Sequence, residues 1–218
     1  MKTKKMGSGI YLVVDPSMNK ELLLQKLRQL VQEEIAAVQI WDHFLPGENI
    51  TGLVNEILDL CHPHNIPVLV NNRWELLKQT ALDGVHFDSK QDRIREWRNE
   101  WNRDCMIGIT CGNDLSTVLW ADANGLDYIS FCSVFPSATA GDSCELVRFE
   151  TIREARKITS LPVFLAGGIR PGNIDALHEL EYSGIAVISG IMNADKPVEM
   201  FKMYQEKINT VANENRNH

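Results

Sequence analysis

Short apolar runs rich in β-branched residues recur along the chain, with helical patterns between them. The runs do not alternate cleanly between apolar and polar positions, as Val-Phe-Leu-Ala and Ile-Ala-Val-Ile-Ser illustrate. Near-continuous apolar runs are typical of parallel strands that are buried on both faces. The pattern predicts eight strands: Ile10 to Asp15, Ala37 to Trp41, Pro67 to Asn71, Gly84 to Asp88, Met106 to Cys111, Tyr128 to Cys132, Pro162 to Ala166 and Ile185 to Ser189.

The segments between these runs predict helices. Leucines recur at helical spacing after Asn19, which is a plausible N-cap, and Pro171 and Pro197 fall where a first helical turn tolerates proline. Eight strand and helix units in 218 residues predict an α/β protein with a single-domain (β/α)8 TIM barrel over residues 10–212. We expect a flexible N-terminus over 1–9 and a frayed tail over 213–218. An open, doubly wound sheet is the alternative.

Composition and charge exclude several classes of protein. The chain has 22 Lys and Arg against 29 Asp and Glu, a formal charge of -7, which argues against nucleic acid as a partner. No apolar stretch approaches the length of a membrane span or of a signal peptide, so we expect a cytoplasmic protein without membrane contact. Five cysteines without a CxxC pair favour reduced thiols. The sequence leaves the oligomeric state open, including a homo-oligomer.

The active site of a (β/α)8 barrel lies at the C-terminal ends of its strands. Polar residues follow most of the predicted strands in this chain. They are Asp15, Asp42, His43, Asn71, Asn72, Arg73, Asp88, Thr110, Cys111, Ser133, Ser137, Thr139 and Ser189.

Glycines follow the last two predicted strands, with Gly167 and Gly168 after strand seven and Gly190 after strand eight. Residues without a Cβ atom let backbone N–H groups approach an anion closely. The loops after strands seven and eight are the usual phosphate site of this fold. The sequence therefore predicts a phosphate-binding site here, and the alternative is that these glycines only make tight turns.

Several motifs resemble the thiamine phosphate synthase and TenI-like family when they are taken in order along the chain. They are Gln39-Ile-Trp-Asp-His43, Val70-Asn71-Asn72-Arg73, Asp83-Gly84-Val85-His86, Gly108-Ile-Thr110, Val134-Phe-Pro-Ser137-Ala-Thr139, Gly167-Gly168-Ile169 and Ile188-Ser189-Gly190. The resemblance covers nearly the whole chain.

The resemblance implies a transferase that joins hydroxymethylpyrimidine diphosphate to a phosphorylated thiazole, with release of diphosphate and with magnesium as cofactor. It assigns the thiazole phosphate to Ser137, Thr139, Gly168, Ile188 and Ser189. The other predicted substrate-binding residues are Gln39, Trp41, Asp42, His43, Asn71, Gly167 and Gly190. Asn72 and Asp92 are the predicted magnesium ligands, and Thr110 is a predicted catalytic residue. The partner it implies is a small phosphorylated heterocycle.

The chain departs from the family pattern on the diphosphate side. Trp41 and His43 stand where the family has arginine and lysine, Asn72 stands where it has a magnesium aspartate, and Ala140 stands where it has a lysine. Each preorganised donor that stabilises developing charge contributes about 3 kcal/mol of transition-state stabilisation. We therefore expect an altered diphosphate site, at which the synthase reaction is not efficient. Magnesium is expected to bind weakly or only with the substrate.

Two further hypotheses stay open at this stage. TenI-like thiazole tautomerases move a proton and need no diphosphate, but the histidine base of that branch corresponds to Gly112 here. The candidate replacement bases are His43, and Cys111 if its pKa is depressed. The third hypothesis is a non-catalytic paralogue that binds phosphate esters.

Overall fold

Eight parallel strands close into one barrel in the computed structural model, which describes residues 6–101, 104–137 and 145–215. Each strand pairs with the next one along the chain, and the last strand pairs with the first. The strands are β1 (Gly9–Val14), β2 (Ile35–Ile40), β3 (Val68–Asn71), β4 (Gly84–Phe87), β5 (Met106–Cys111), β6 (Tyr128–Cys132), β7 (Val163–Ala166) and β8 (Gly184–Val187). The predicted single (β/α)8 barrel and all eight predicted strands are confirmed, and the open sheet is excluded.

Helices cover the outside of the barrel. They are α1 (Lys20–Leu30), α2 (Ile50–Cys61), α3 (Ile94–Trp101), α4 (Ser116–Ala123), α5 (Phe149–Ile158), α6 (Ser189–Met192) and α7 (Pro197–Asn215). Short 3-10 turns at His62–His64, Trp74–Lys78 and Ile174–Leu177 complete the connections. No helix in the described part of the chain is both long and apolar enough to cross a membrane.

The predicted helix starts at Asn19 and Pro197 are confirmed, and the predicted start at Pro171 is wrong. The Asn19 side chain accepts a hydrogen bond of 3.0 Å from the Leu22 N–H, and Pro197 begins α7. No α-helix begins at Pro171, where a turn leads into a 3-10 helix instead.

Residues 1–5 and 216–218 lie outside the described residues, so the flexible N-terminus and the frayed tail stay predictions. Strand β1 begins at Gly9, whose N–H donates to the Ser183 carbonyl at 2.9 Å, and Met6 packs against the inner core. Helix α7, the last element of the barrel, extends to Asn215.

The lower interior of the barrel is closed by large side chains from alternate strand positions. Tyr11, Leu69, Tyr128 and Phe164 pack together there with Ala37 and Met106. Gly108 makes room for Tyr128, because a Cβ atom at this position would lie 2.1 Å from the tyrosine ring. Any other residue would therefore displace Tyr128 from the centre of the barrel.

Strand alternation then decides which side chains reach the upper interior. Residues two positions further along a strand point to the same face, so Gln39 follows Ala37, Asn71 follows Leu69 and Ser130 follows Tyr128. The intervening residues, such as Val38, Val70 and Ile129, belong to the outer core between strands and helices. The barrel thus presents a layer of polar side chains above an apolar plug.

Candidate active site

A cavity of about 670 Å³ opens at the C-terminal ends of the strands, directly above the apolar plug. Its size is that of a pocket for a small organic ligand. Ten of the residues predicted for the site line it together: Gln39, Trp41, Asn71, Thr110, Ser137, Gly167, Gly168, Ile188, Ser189 and Gly190.

Other predicted residues lie outside the set of described residues that line this cavity. They are Asp42, His43, Asn72, Asp92 and Cys111. Thr139 and Ala140 belong to the segment 138–144, which lies outside the described residues.

The floor of the cavity is a chain of buried hydrogen bonds. The Tyr11 hydroxyl donates to Gln39 Oε1 at 2.7 Å and lies 2.8 Å from the Tyr128 hydroxyl. His86 Nδ1 lies 2.9 Å from the Tyr128 hydroxyl, and His86 Nε2 lies 2.8 Å from Thr110 Oγ1. This chain joins β1, β2, β4, β5 and β6 across the barrel.

The order of donors and acceptors along these hydrogen bonds determines which atom carries each proton. Because Tyr11 gives its only hydroxyl proton to Gln39, the Tyr128 hydroxyl must donate to Tyr11 and accept from His86 Nδ1–H. His86 Nε2 then carries no proton and accepts from the Thr110 hydroxyl. Thr110 therefore offers oxygen lone pairs to the cavity, which suits a ligand that donates a hydrogen bond.

Burial keeps this floor electrically neutral. It lowers the pKa of His86 to about 4, although the Asp88 carboxylate acts in the opposite direction. Burial also raises the pKa of both Tyr11 and Tyr128 above the ordinary value. At neutral pH the floor consequently binds by hydrogen bonds without a net charge.

The charges of the cavity lie above the floor. Among the described lining residues, Arg170 is the only lysine or arginine and Asp88 is the only carboxylate. Arg170 follows β7 and Asp88 follows β4, so they come from different sides of the strand ring. The cavity is therefore polarised, with its permanent cation beside the glycine loop that follows β7.

The loop after β7 has a backbone that only glycine adopts easily. Gly167 and Gly168 have φ values of +86° and +65°. A Cβ atom on Gly168 would lie 2.4 Å from the Pro136 carbonyl oxygen. The Asn173 side chain holds the loop from outside by donating to the Gly168 carbonyl at 2.9 Å and accepting from Arg170 N at 2.8 Å.

Strand β8 brings Ser189 and Gly190 to the same part of the cavity. The Tyr204 hydroxyl fixes this region by donating to the Ile169 carbonyl at 2.9 Å, and a Cβ atom on Gly190 would lie 2.2 Å from that hydroxyl. Within the described residues, the amide N–H groups of Gly168, Ser189 and Gly190 have no acceptor. Free amides near a cation form a binding site for an anion.

Amides and one carboxylate meet at the ends of β3 and β4. Asn71 Nδ2 donates to Asp88 Oδ1 at 3.1 Å, and Asn72 Nδ2 donates to Asp88 Oδ2 at 2.8 Å. Asn72 Oδ1 accepts from Asp88 N at 3.1 Å, and Asn72 has a φ of +58°. Asn72 and Asp88 therefore satisfy each other's polar groups.

This cluster does not fit a magnesium ion held by the protein alone. Mg²⁺ prefers carboxylate oxygens in octahedral geometry, whereas here one carboxylate already accepts from two amides. Asp92, the other predicted ligand, is exposed in the turn before α3. The described residues contain no group of three or more His, Cys, Asp or Glu side chains placed to hold a metal.

The end of β2 carries an aromatic pair in place of cations. The Trp41 and His43 rings stack with centroids 3.4 Å apart, and His43 Nδ1 lies 3.4 Å from Asp15 Oδ2. Trp41 lines the cavity, whereas the neighbouring Asp42 carboxylate accepts from Arg73 Nε at 2.6 Å. Of the predicted Trp41, Asp42 and His43, only the indole thus reaches the cavity.

Cys111 does not supply a base to this cavity. It follows Thr110 directly on β5 and therefore points to the opposite face, where it is buried in the outer core. Burial raises the pKa of its thiol to about 12, the opposite of the depression that its predicted role requires.

Several residues that line the cavity are missing from the predicted site. Tyr11, His86, Ser130 and Tyr204 line the cavity together with Arg170. His86 is hydrogen-bonded and buried, as expected of a core histidine, but it also faces the ligand space. Strand alternation could have indicated Tyr11, His86 and Ser130, because they share a face with predicted site residues.

Comparisons with known proteins agree on one family. The family model described as thiamine monophosphate synthase matches residues 10–191. The chain is 33% identical over 173 residues to the thiamine-phosphate synthase of Nitrosococcus oceani, covering 79% of this chain and 76% of the relative. It is 26% identical over 196 residues to that of Clostridium tetani, covering 89% and 93%.

The fold has a counterpart among solved structures. The thiamine phosphate pyrophosphorylase from Pyrococcus furiosus superposes with a TM-score of 0.80 over 96% of this chain and 98% of that chain. The identity is 21%, so this likeness concerns the fold.

Proposed function

Since the chain belongs to the thiamine monophosphate synthase family, we propose that it is a transferase of this type that retains the site for a phosphorylated thiazole and has an altered site for the pyrimidine diphosphate. The proposed reaction joins the thiazole nitrogen to the pyrimidine methylene group and releases diphosphate. The loops after β7 and β8 support the first part of this proposal, and the side of the cavity with Trp41 and Asp88 supports the second part.

The observation that carries the proposal is the anion site after β7 and β8. Gly168 and Gly190 bring the backbone close to the ligand space, and Arg170 is the permanent cation nearby. Amide donors together with one arginine suit a single phosphate monoester, because each charge-assisted hydrogen bond is stronger than a neutral one. The thiazole phosphate carries one such group.

The opposite half supports weaker recognition of a diphosphate. Trp41 lines the cavity where the family pattern has an arginine, and Asp88 is the one carboxylate among the described lining residues. A diphosphate brought to this side would meet an aromatic ring and a negative charge in place of two cations. We propose that the protein binds the pyrimidine diphosphate more weakly than the thiazole phosphate.

We propose that magnesium binds with the diphosphate and not before it. The cluster of Asn71, Asn72 and Asp88 offers one carboxylate to a hard cation, whereas diphosphate oxygens supply the charged ligands that Mg²⁺ prefers. The cofactor is therefore weakly held and dependent on substrate.

The proposed activity is tested by incubating the full chain with both thiamine precursors and magnesium. The expected result is slow, equimolar formation of thiamine phosphate and diphosphate, measured by chromatography and a coupled diphosphate assay. A parallel sample receives the thiazole phosphate alone in deuterated water. Proton exchange there without any coupling would favour the TenI-like tautomerase, and binding without either reaction would favour the non-catalytic paralogue.

A further inference from the structure

The stack of Trp41 and His43 at the end of β2 has a consequence for ligand binding beyond its lack of a cation. Trp41 lines the cavity, while His43, which is stacked on it, belongs to the described residues outside the lining. The indole therefore contacts both His43 and the ligand space. With an interplanar angle of 27° and a centroid distance of 3.4 Å, His43 covers one face of the ring.

His43 is itself held at its other end. Its Nδ1 atom lies 3.4 Å from Asp15 Oδ2, and Asp15 Oδ1 accepts from Ser17 N at 2.9 Å. The backbone N–H of Trp41 donates to the Val14 carbonyl at 2.9 Å, which continues the pairing of β1 with β2 by one residue. Asp15, His43 and Trp41 thus form a layered support anchored on two adjacent strands.

The position of Trp41 relative to the anion site allows one ligand to contact both. Strand β8 pairs with β1, and β1 pairs with β2, so Trp41 lies two strands away from Ser189, about 10 Å at the usual strand spacing. The strand between them presents Val13 to the cavity, and β8 presents Ala186. An apolar path therefore leads from the anion site to the indole.

We propose that Trp41 is an aromatic wall against which a heteroaromatic phosphate monoester packs its ring while its phosphate occupies the loops after β7 and β8. His43 and Asp15 are positioning residues that hold the indole in place. This inference rests on the proposed function for its phosphate site, and it adds selection of the ligand by its ring. An aromatic pair contributes free energy beyond the burial of its area, so the wall discriminates between aromatic and aliphatic esters.

The test compares three probes by calorimetric titration: inorganic phosphate, the thiazole phosphate and butyl phosphate. Trp41→Ala is expected to lower affinity for the thiazole phosphate roughly tenfold, the upper range for one aromatic contact, with the other two probes within about twofold. Trp41→Phe is expected to keep most of the preference. His43→Ala is expected to lose part of it, and His43→Phe to restore the stack and the preference.

A spectroscopic signature separates a wall from a structural role. Binding of the thiazole phosphate is expected to change tryptophan fluorescence in the wild type and in Trp120→Phe, where Trp120 packs in α4 against the outer core, but not in Trp41→Phe. Asp15→Ala combined with His43→Ala is expected to cost no more than His43→Ala alone, because Asp15 acts through His43.

The outcomes distinguish the wall from the proposed function. If the wild type binds neither phosphate ester, the phosphate site is wrong and the wall falls with it. If the wild type binds all three probes but Trp41→Ala keeps its preference for the thiazole phosphate, the wall alone is wrong. An equal loss for all probes in Trp41→Ala also refutes it, because the residue would then support the whole site.

Discussion

The buried His86 should make the stability of the protein depend on pH in a way that a single substitution removes. Burial lowers the pKa of this imidazole from 6.5 to about 4, because its charged form would lose its hydration inside the barrel. His86 bridges Tyr128 and Thr110 as a neutral ring, with Nδ1 and Nε2 at 2.9 and 2.8 Å from them. His86→Gln removes the titrating group and keeps a polar side chain.

The sign follows from proton binding in the two states. The unfolded chain binds a proton at His86 below about pH 6.5, whereas the folded protein does so only below about pH 4, so acid favours unfolding between these values. The stabilisation is complete above pH 6.5 and is lost as the pH falls to about 4. One pKa unit is worth about 1.4 kcal/mol, so His86 accounts for roughly 2 to 3 kcal/mol between pH 7 and pH 4.5.

The assay is urea unfolding of the wild type, His86→Gln and His178→Gln at several values between pH 4.5 and 8. His178 is the matched control, since 55% of its side chain is exposed on the barrel surface. Carboxylates contribute equally in all three proteins, so the difference between curves isolates one histidine. The wild type and His178→Gln are expected to lose stability together, and His86→Gln to lose about 2 kcal/mol less by pH 4.5. Parallel curves for the wild type and His86→Gln would refute the reasoning.

Four further predictions concern the cavity and the residues predicted for it. Gly168→Val should abolish binding of the thiazole phosphate in a titration, because a Cβ atom at this position would lie 2.4 Å from a carbonyl oxygen. The control Gly172→Ala should bind like the wild type, because a Cβ atom there would have no neighbour within 4 Å. Trp41→Arg should increase affinity for the pyrimidine diphosphate at least severalfold through charge-assisted hydrogen bonds, and unchanged binding would argue against an altered diphosphate site. Calorimetry should detect only weak magnesium binding to the free protein, and Asn72→Asp should strengthen it by adding a carboxylate. The Cys111 thiol, with a pKa of about 12, should resist alkylation at pH 8 in the folded protein and react after denaturation.

The outline of the site could be predicted because strand order and site position are linked in a closed parallel barrel. The ends of β2, β3 and β7 are far apart in sequence, yet Trp41, Asn71 and Gly168 at these ends line one cavity. The rule that sites lie at the C-terminal ends of the strands was enough to group them. It did not distinguish neighbours, because a shift of one residue turns a side chain to the other face. Thr110 faces the cavity for this reason, and Cys111 does not.

The sequence by itself determined the eight strands, most of the helices between them and the glycines after β7, because the spacing of apolar residues and the backbone freedom of glycine are local properties. Only the tertiary structure decided the state of the groups within the barrel. The pKa of His86 depends on burial by strands distant in sequence, and its tautomer depends on proton donation that begins at Tyr11. In the same way, only the fold stacks His43 on Trp41 and brings the Asp15 carboxylate after β1 to within 3.4 Å of His43 Nδ1. Charge and orientation arise from neighbours that a linear pattern does not specify.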